Sequence, residues 1–94
     1  MGDTKLRKSV VVANPNGLHA RPADLLCKTA NKFKASVAII KGSERVDAKS
    51  ILGILTLAAM KGTELTVETE GNDAQQALDA VATLLSSSFE DEFE

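Results

Sequence analysis

Glu64-Leu65-Thr66-Val67-Glu68-Thr69-Glu70 sets Leu65 and Val67 on one side of an extended chain and Glu64, Thr66, Glu68 and Glu70 on the other. A period of two with one greasy and one charged side is the mark of an antiparallel strand with one face in a core and one in water. A sheet built on it is open on that side, so the helices must share the other. Upstream, Ser9-Val10-Val11-Val12-Ala13 is a β-branched run stopped by Asn14-Pro15-Asn16-Gly17, residue types that favour turns. Ser36 to Lys41 and Glu44 to Ala48 flank Gly42-Ser43 and read as a hairpin.

Between these strands the period changes to that of helices. From about Ala20 to Lys32, Leu26, Thr29, Ala30 and Phe33 fall on one side of a helix. Ser50 is placed to cap a second helix running from Ile51 to Met60, with Lys61-Gly62 as its stop. Asp73 and Gln76 stand at capping-box spacing before a third, whose stripe is Ala77, Leu78, Val81, Leu84 and Leu85. The order βαββαβα predicts an α+β fold: an open-faced two-layer sandwich, a four-stranded antiparallel sheet with three helices on one face. One domain over 1–94 is expected, folded from about 8 to 87, with flexible ends at 1–5 and 88–94. The latter holds the acidic Glu90-Asp91-Glu92-Phe93-Glu94.

Composition narrows the function classes. The 94 residues are 44% hydrophobic and 26% charged, with a net charge of −2, as in a globular protein. No apolar run approaches the roughly 20 residues of a membrane helix, and Met1 to Lys5 leads into no signal core, so a cytoplasmic protein without membrane insertion is expected. Three phenylalanines are the only aromatic residues and no basic block accompanies them, which argues against nucleic-acid binding. Cys27 is the sole cysteine: it excludes an internal disulfide, offers no cluster for zinc or iron, and reads as a small hydrophobe on a helix. Neither a metal nor a cofactor is expected, and a free monomer is the default.

The chemistry concentrates where the first strand hands over to the first helix, at Gly17-Leu18-His19-Ala20-Arg21-Pro22-Ala23, which contains the only histidine. N–H groups at a helix start point outward and carry partial positive charge, a setting that suits an anion. Pro22 is tolerated there because its missing N–H costs nothing, whereas Arg21 faces the unfavourable end of the helix dipole. A phosphoryl group on His19 would relieve that cation, taking hydrogen bonds from the Arg21 guanidinium and from the N–H groups of Ala20 and Arg21. The imidazole is the side chain there that can offer a nitrogen lone pair for attack on phosphorus. From these residues alone a capping histidine beside an ordinary turn and a solvated arginine remains an open alternative.

Gly17-Leu18-His19-Ala20-Arg21-Pro22-Ala23 resembles the active-site signature of the HPr family, phosphocarriers of the bacterial phosphoenolpyruvate-dependent phosphotransferase system. The likeness runs over about residues 8 to 87, including the spacing to Lys49-Ser50-Ile51 and the Gly62-Thr63 exit. It implies that His19 is phosphorylated on Nδ1 by enzyme I and hands the group to IIA domains, with Arg21 steadying the phosphate and Ala20 lending its N–H. It implies an open docking surface from Leu18, Ala20, Ile51, Leu52 and Leu55, with Lys28 as a rim charge. Lys49-Ser50-Ile51-Leu52-Gly53-Ile54-Leu55 is similar to the subset whose serine is phosphorylated by HPr kinase/phosphorylase, which makes Ser50 a regulatory candidate. Such a protein is a carrier and does not turn over a small molecule alone. Three other readings stand beside it: an HPr-like carrier of a nitrogen or carbon control relay, a small acylphosphatase-like hydrolase, and a passive interaction module using the sheet face.

Overall fold

The computed structural model describes residues 4–87. Along the chain run β1 (Thr4–Val11), α1 (Ala20–Ala30), β2 (Ser36–Lys41), β3 (Glu44–Asp47), α2 (Ile51–Thr56), β4 (Glu64–Gly71) and α3 (Ala74–Ser86). The strands form one antiparallel sheet in the order β1-β4-β2-β3. The fold is the expected open-faced α+β sandwich. Val10, Val37, Ile39, Leu65 and Val67 point from the sheet into a core shared with Leu26 of α1, Ile54 of α2, and Ala77, Leu78, Val81 and Leu85 of α3. No helix among the described residues is long and apolar enough to cross a membrane.

Three of the element boundaries that differ from the sequence reading have a clear physical reason. β1 starts at Thr4 because its backbone pairs with β4 as far as Gly71; Thr4 and Lys5 are strand and not a loose end. Residues 1–3 and 88–94, and so the expected acidic tail, lie outside the described residues. α1 stops at Ala30: the Asn31 N–H still donates to the Cys27 carbonyl at 3.0 Å, but the Lys32 N–H reaches back only three residues, to the Thr29 carbonyl at 3.1 Å, and Phe33 packs on the core from the following turn. α2 ends at Thr56, four residues short, as Lys41 Nζ reaches the Leu57 carbonyl at 2.8 Å and Ala58 takes the left-handed conformation (φ 49°). Gly62 therefore ends a loop, where its N–H bonds to the Val12 carbonyl at 2.8 Å.

Asp73 stands at the N-cap of α3 but makes no side-chain cap bond there. Its carboxylate accepts from the Lys34 and Ala35 N–H groups at 2.9 and 2.8 Å, tying the α1–β2 connection to α3. Those amides, Lys34 first, hold its pKa below the usual value. On the open face of the sheet, Glu68 was expected in water but is only 2% exposed. Lys5 and Arg7 from β1 and Arg45 from β3 lie over it, their charged heads against the carboxylate and their side chains still more than half exposed. Arg45 and Arg7 bond Oε1, while Lys5 Nζ stands 3.1 Å from Oε2 as an ion-pair contact without hydrogen-bond alignment. Arg45, then Lys5, hold the carboxyl pKa down at about 2.

Candidate functional site

The site is assembled by two loops that grip each other. After β1, the Val12 N–H donates to the Thr63 carbonyl at 2.9 Å and the Val12 carbonyl accepts from Gly62, so the segment leading to His19 is stitched to the loop after α2. The chain then turns through Pro15 and Asn16, closed by the Gly17 N–H on the Asn14 carbonyl at 2.9 Å. Gly17 has φ +72°, and a Cβ there would strike the Ala59 carbonyl oxygen and come within 2.9 Å of Met60 Cα. Only glycine meets both demands. Leu18 follows with its N–H on the Ala59 carbonyl at 2.8 Å and its side chain in the core.

His19 is the N-cap residue of α1, in extended conformation (φ −92°, ψ −164°), and its carbonyl accepts the Ala23 N–H at 2.9 Å. Its side chain makes no cap hydrogen bond, which disposes of the capping-histidine alternative and leaves the imidazole exposed and uncommitted to the helix. Ala20 and Arg21 are exposed on the first turn, while Pro22 and Ala23 are buried and anchor it. No acidic side chain sits in that turn, so the positive end of the helix is not neutralised locally. An exposed imidazole, the outward N–H groups of a helix start and a guanidinium at i+2 form an arrangement that can hold a phosphoryl group.

The second candidate lies on α2. Ser50 caps it as expected, its Oγ accepting the Gly53 N–H at 3.1 Å, and the residue stays exposed. Gly53 sits in tight space: a Cβ would approach the Asp47 carbonyl oxygen and Val46 Cβ at 3.3 Å, where α2 lies on β3. Cys27 Sγ from α1 and Asn31 Nδ2 just after it both donate to the Lys49 carbonyl, at 3.1 and 3.2 Å, bracing the residue before Ser50 against the helix that starts after His19. Cys27 is thus a packed, half-buried thiol with a hydrogen-bonding task.

The expected docking residues divide. Leu52 is 72% exposed, Ile51 and Leu55 are half-buried, and Ala20 and Lys28 are exposed on α1, against which α2 packs. Lys28 pairs with Asp24 at 3.1 Å along the same helix. Leu18 is a correction: at 4% exposure its side chain serves the core and offers a partner almost nothing. Met60, 61% exposed beside Gly17, was hidden from the sequence reading inside an over-long α2.

Comparison with known proteins gives a consistent result. Residues 6–87 match the family model described as "PTS HPr component phosphorylation site". The phosphocarrier protein HPr of Neisseria meningitidis serogroup A is 40% identical over 84 residues, covering 89% of this chain and 94% of the relative. The phosphocarrier protein NPr of Shewanella violacea is 39% identical over 88 residues (94% and 97%), and the HPr-like protein Crh of Halalkalibacterium halodurans 41% over 80 (85% and 95%). The crystal structure of HPr from Bacillus anthracis superposes with a TM-score of 0.84 at 45% identity, over 87% of this chain and 98% of that one.

Proposed function

Since the chain belongs to the HPr family of phosphotransferase-system phosphocarriers, we propose that His19 accepts a phosphoryl group from phosphorylated enzyme I and passes it to IIA domains in the cytoplasm. The observation that carries this reading is the exposed His19 imidazole at the start of α1, unspent on capping, with Arg21 on the same turn. A ring nitrogen lone pair attacks phosphorus as the bond to the donor breaks. The Arg21 guanidinium and the outward N–H of Ala20 take up charge on the phosphoryl oxygens. The helix start holds the phosphohistidine without reorganising, so the group can leave again when a second acceptor docks. Both transfers require a partner to reach the same imidazole. A shallow surface of Ala20, Ile51, Leu52 and Leu55, rimmed by Lys28 and extended by Met60, suits weak and successive binding by a monomeric carrier.

Mixing the protein with enzyme I and phosphoenolpyruvate should add one acid-labile phosphate by intact mass, absent from His19→Ala. No labelling with an active enzyme I would refute the reading. Ser50 is the proposed target of HPr kinase/phosphorylase, in line with the similarity to Crh. Its hydroxyl is exposed at a helix start that tolerates negative charge, next to the half-buried Ile51 and exposed Leu52. Phosphate there places up to two charges beside an apolar docking surface and inhibits transfer without unfolding the chain. A regulatory relay for nitrogen or carbon control is the second reading, favoured by NPr and Crh relatives as similar to this chain as the HPr relatives are. Phosphoryl passage from the labelled protein to sugar-specific IIA domains separates the two.

A further inference from the structure

The turn ahead of His19 contains a polar side chain that the transfer chemistry never touches. Asn14, Glu68 and Thr69 are the buried polar or charged residues among those described. A buried amide is stable only when hydrogen-bonded, and Asn14 Nδ2 donates to the Gly17 carbonyl at 2.7 Å. The opposite end of the same peptide unit, the Leu18 N–H, donates to the Ala59 carbonyl at 2.8 Å. The Gly17–Leu18 peptide plane is therefore pinned at both ends, by a side chain on one and by the loop after α2 on the other. Gly17 would otherwise let it swing, because glycine has no Cβ to restrict the torsions on that side. His19 is only one residue further on, and Leu18 is locked in the core, so any rotation of the plane passes directly into the His19 backbone and the first N–H of α1.

We infer that Asn14 is a positioning residue for phosphoryl transfer: its amide fixes the Gly17–Leu18 peptide plane and so sets the direction of the His19 imidazole and the N–H groups beside it. This role rests on the phosphocarrier reading. It acts through geometry alone, since Asn14 is buried and meets neither partner nor phosphate. Misplacement of a reacting group by about 1 Å can cost roughly a hundredfold in rate.

The test is steady-state transfer from phosphorylated enzyme I to wild type, Asn14→Ala and the near-isosteric Asn14→Asp, which replaces the donor NH2 by an acceptor. Both variants should lose roughly ten- to a hundredfold in kcat with KM for the carrier unchanged, at a temperature well below their melting points. A purely structural role would lower the melting temperature and leave kcat intact, and that result overturns the inference. On 15N-labelled wild type, which does not depend on the variants folding, the Asn14 side-chain amide should exchange slowly and shift when His19 is phosphorylated. An unchanged resonance overturns it as well. Wild type that takes no phosphate refutes the carrier reading and this role together; labelled wild type with equal kcat in the variants refutes the role alone.

Discussion

Replacing Gly17 by alanine should be among the most damaging single-methyl changes in the described chain. The new Cβ carries two penalties that the structure separates. At φ +72° an L-residue pays about 1–2 kcal/mol for the left-handed conformation. The methyl also drives into backbone, the Ala59 carbonyl and Met60 Cα, which cannot swing aside like the end of a side chain. Overpacking of that kind adds about 1–3 kcal/mol. The total, about 2–5 kcal/mol, is a large part of the roughly 5–15 kcal/mol that holds such a domain together. It lowers the melting temperature by roughly 8–40 °C at this chain length. Gly42 provides the control: its φ is +60° with nothing within 4 Å of a Cβ, so Gly42→Ala should cost only the conformational part, about 1–2 kcal/mol. Urea unfolding of both variants, with unchanged m values, measures the difference. Equal destabilisation of the two would show that the His19 turn is not wedged against the loop after α2, and the account of the site would fall with it.

Three further outcomes follow from the geometry. Arg21→Ala should slow both transfer steps by roughly ten- to a hundredfold while leaving the melting curve in place, because it removes charge stabilisation from an exposed position; unchanged kinetics would refute its role. Ser50→Ala should lose the cap on Gly53, costing about 0.5–2 kcal/mol, and should take no phosphate from HPr kinase and ATP; labelling that persists would exclude Ser50 as the target. Glu68→Gln removes a carboxyl whose pKa is depressed to about 2 from 4.5 by Arg45 and Lys5. A depressed pKa means that the stabilisation is complete above the unfolded value and is lost as the pH falls through the folded one. The gap in melting temperature between wild type and Glu68→Gln at neutral pH should therefore close between about pH 4.5 and pH 2; a gap independent of pH would assign the loss to packing.

Much of this was legible in residue order because the local signals agree with the final packing. The alternation at Glu64 to Glu70 gave the open sheet, the stripe Ala77, Leu78, Val81 and Leu85 is buried in α3, and Ser50 caps as its side chain allows. What the sequence did not disclose was set by partners far along the chain. Nothing near Thr4 says that strand pairing reaches it, since the partner is Gly71. Nothing in Ile51 to Met60 says that the helix stops early, since the Leu57 carbonyl is taken by Lys41 and the Ala59 carbonyl by Leu18. Glu68 looked solvated because alternation reports which face a side chain takes, not what folds over it. Likewise Leu18 reads as surface beside His19, and its burial depends on the loop that grips the turn.

The pairing of β1 with β4 also has a consequence for the order of events on the ribosome. β1 is an edge strand whose one neighbour begins at Glu64, so at a synthesis rate of about 5–20 residues per second the first strand waits roughly 3–10 s for its partner to be made. Through that interval eight extended residues offer unpaired backbone to any other nascent chain. Lys5, Arg7 and Lys8 space positive charge along them. Two of those cations later close over Glu68. Before β4 exists, like-charge repulsion makes the waiting strand a poor template for its own copies, and the same side chains serve first as a guard against aggregation and then as a cover for the finished sheet.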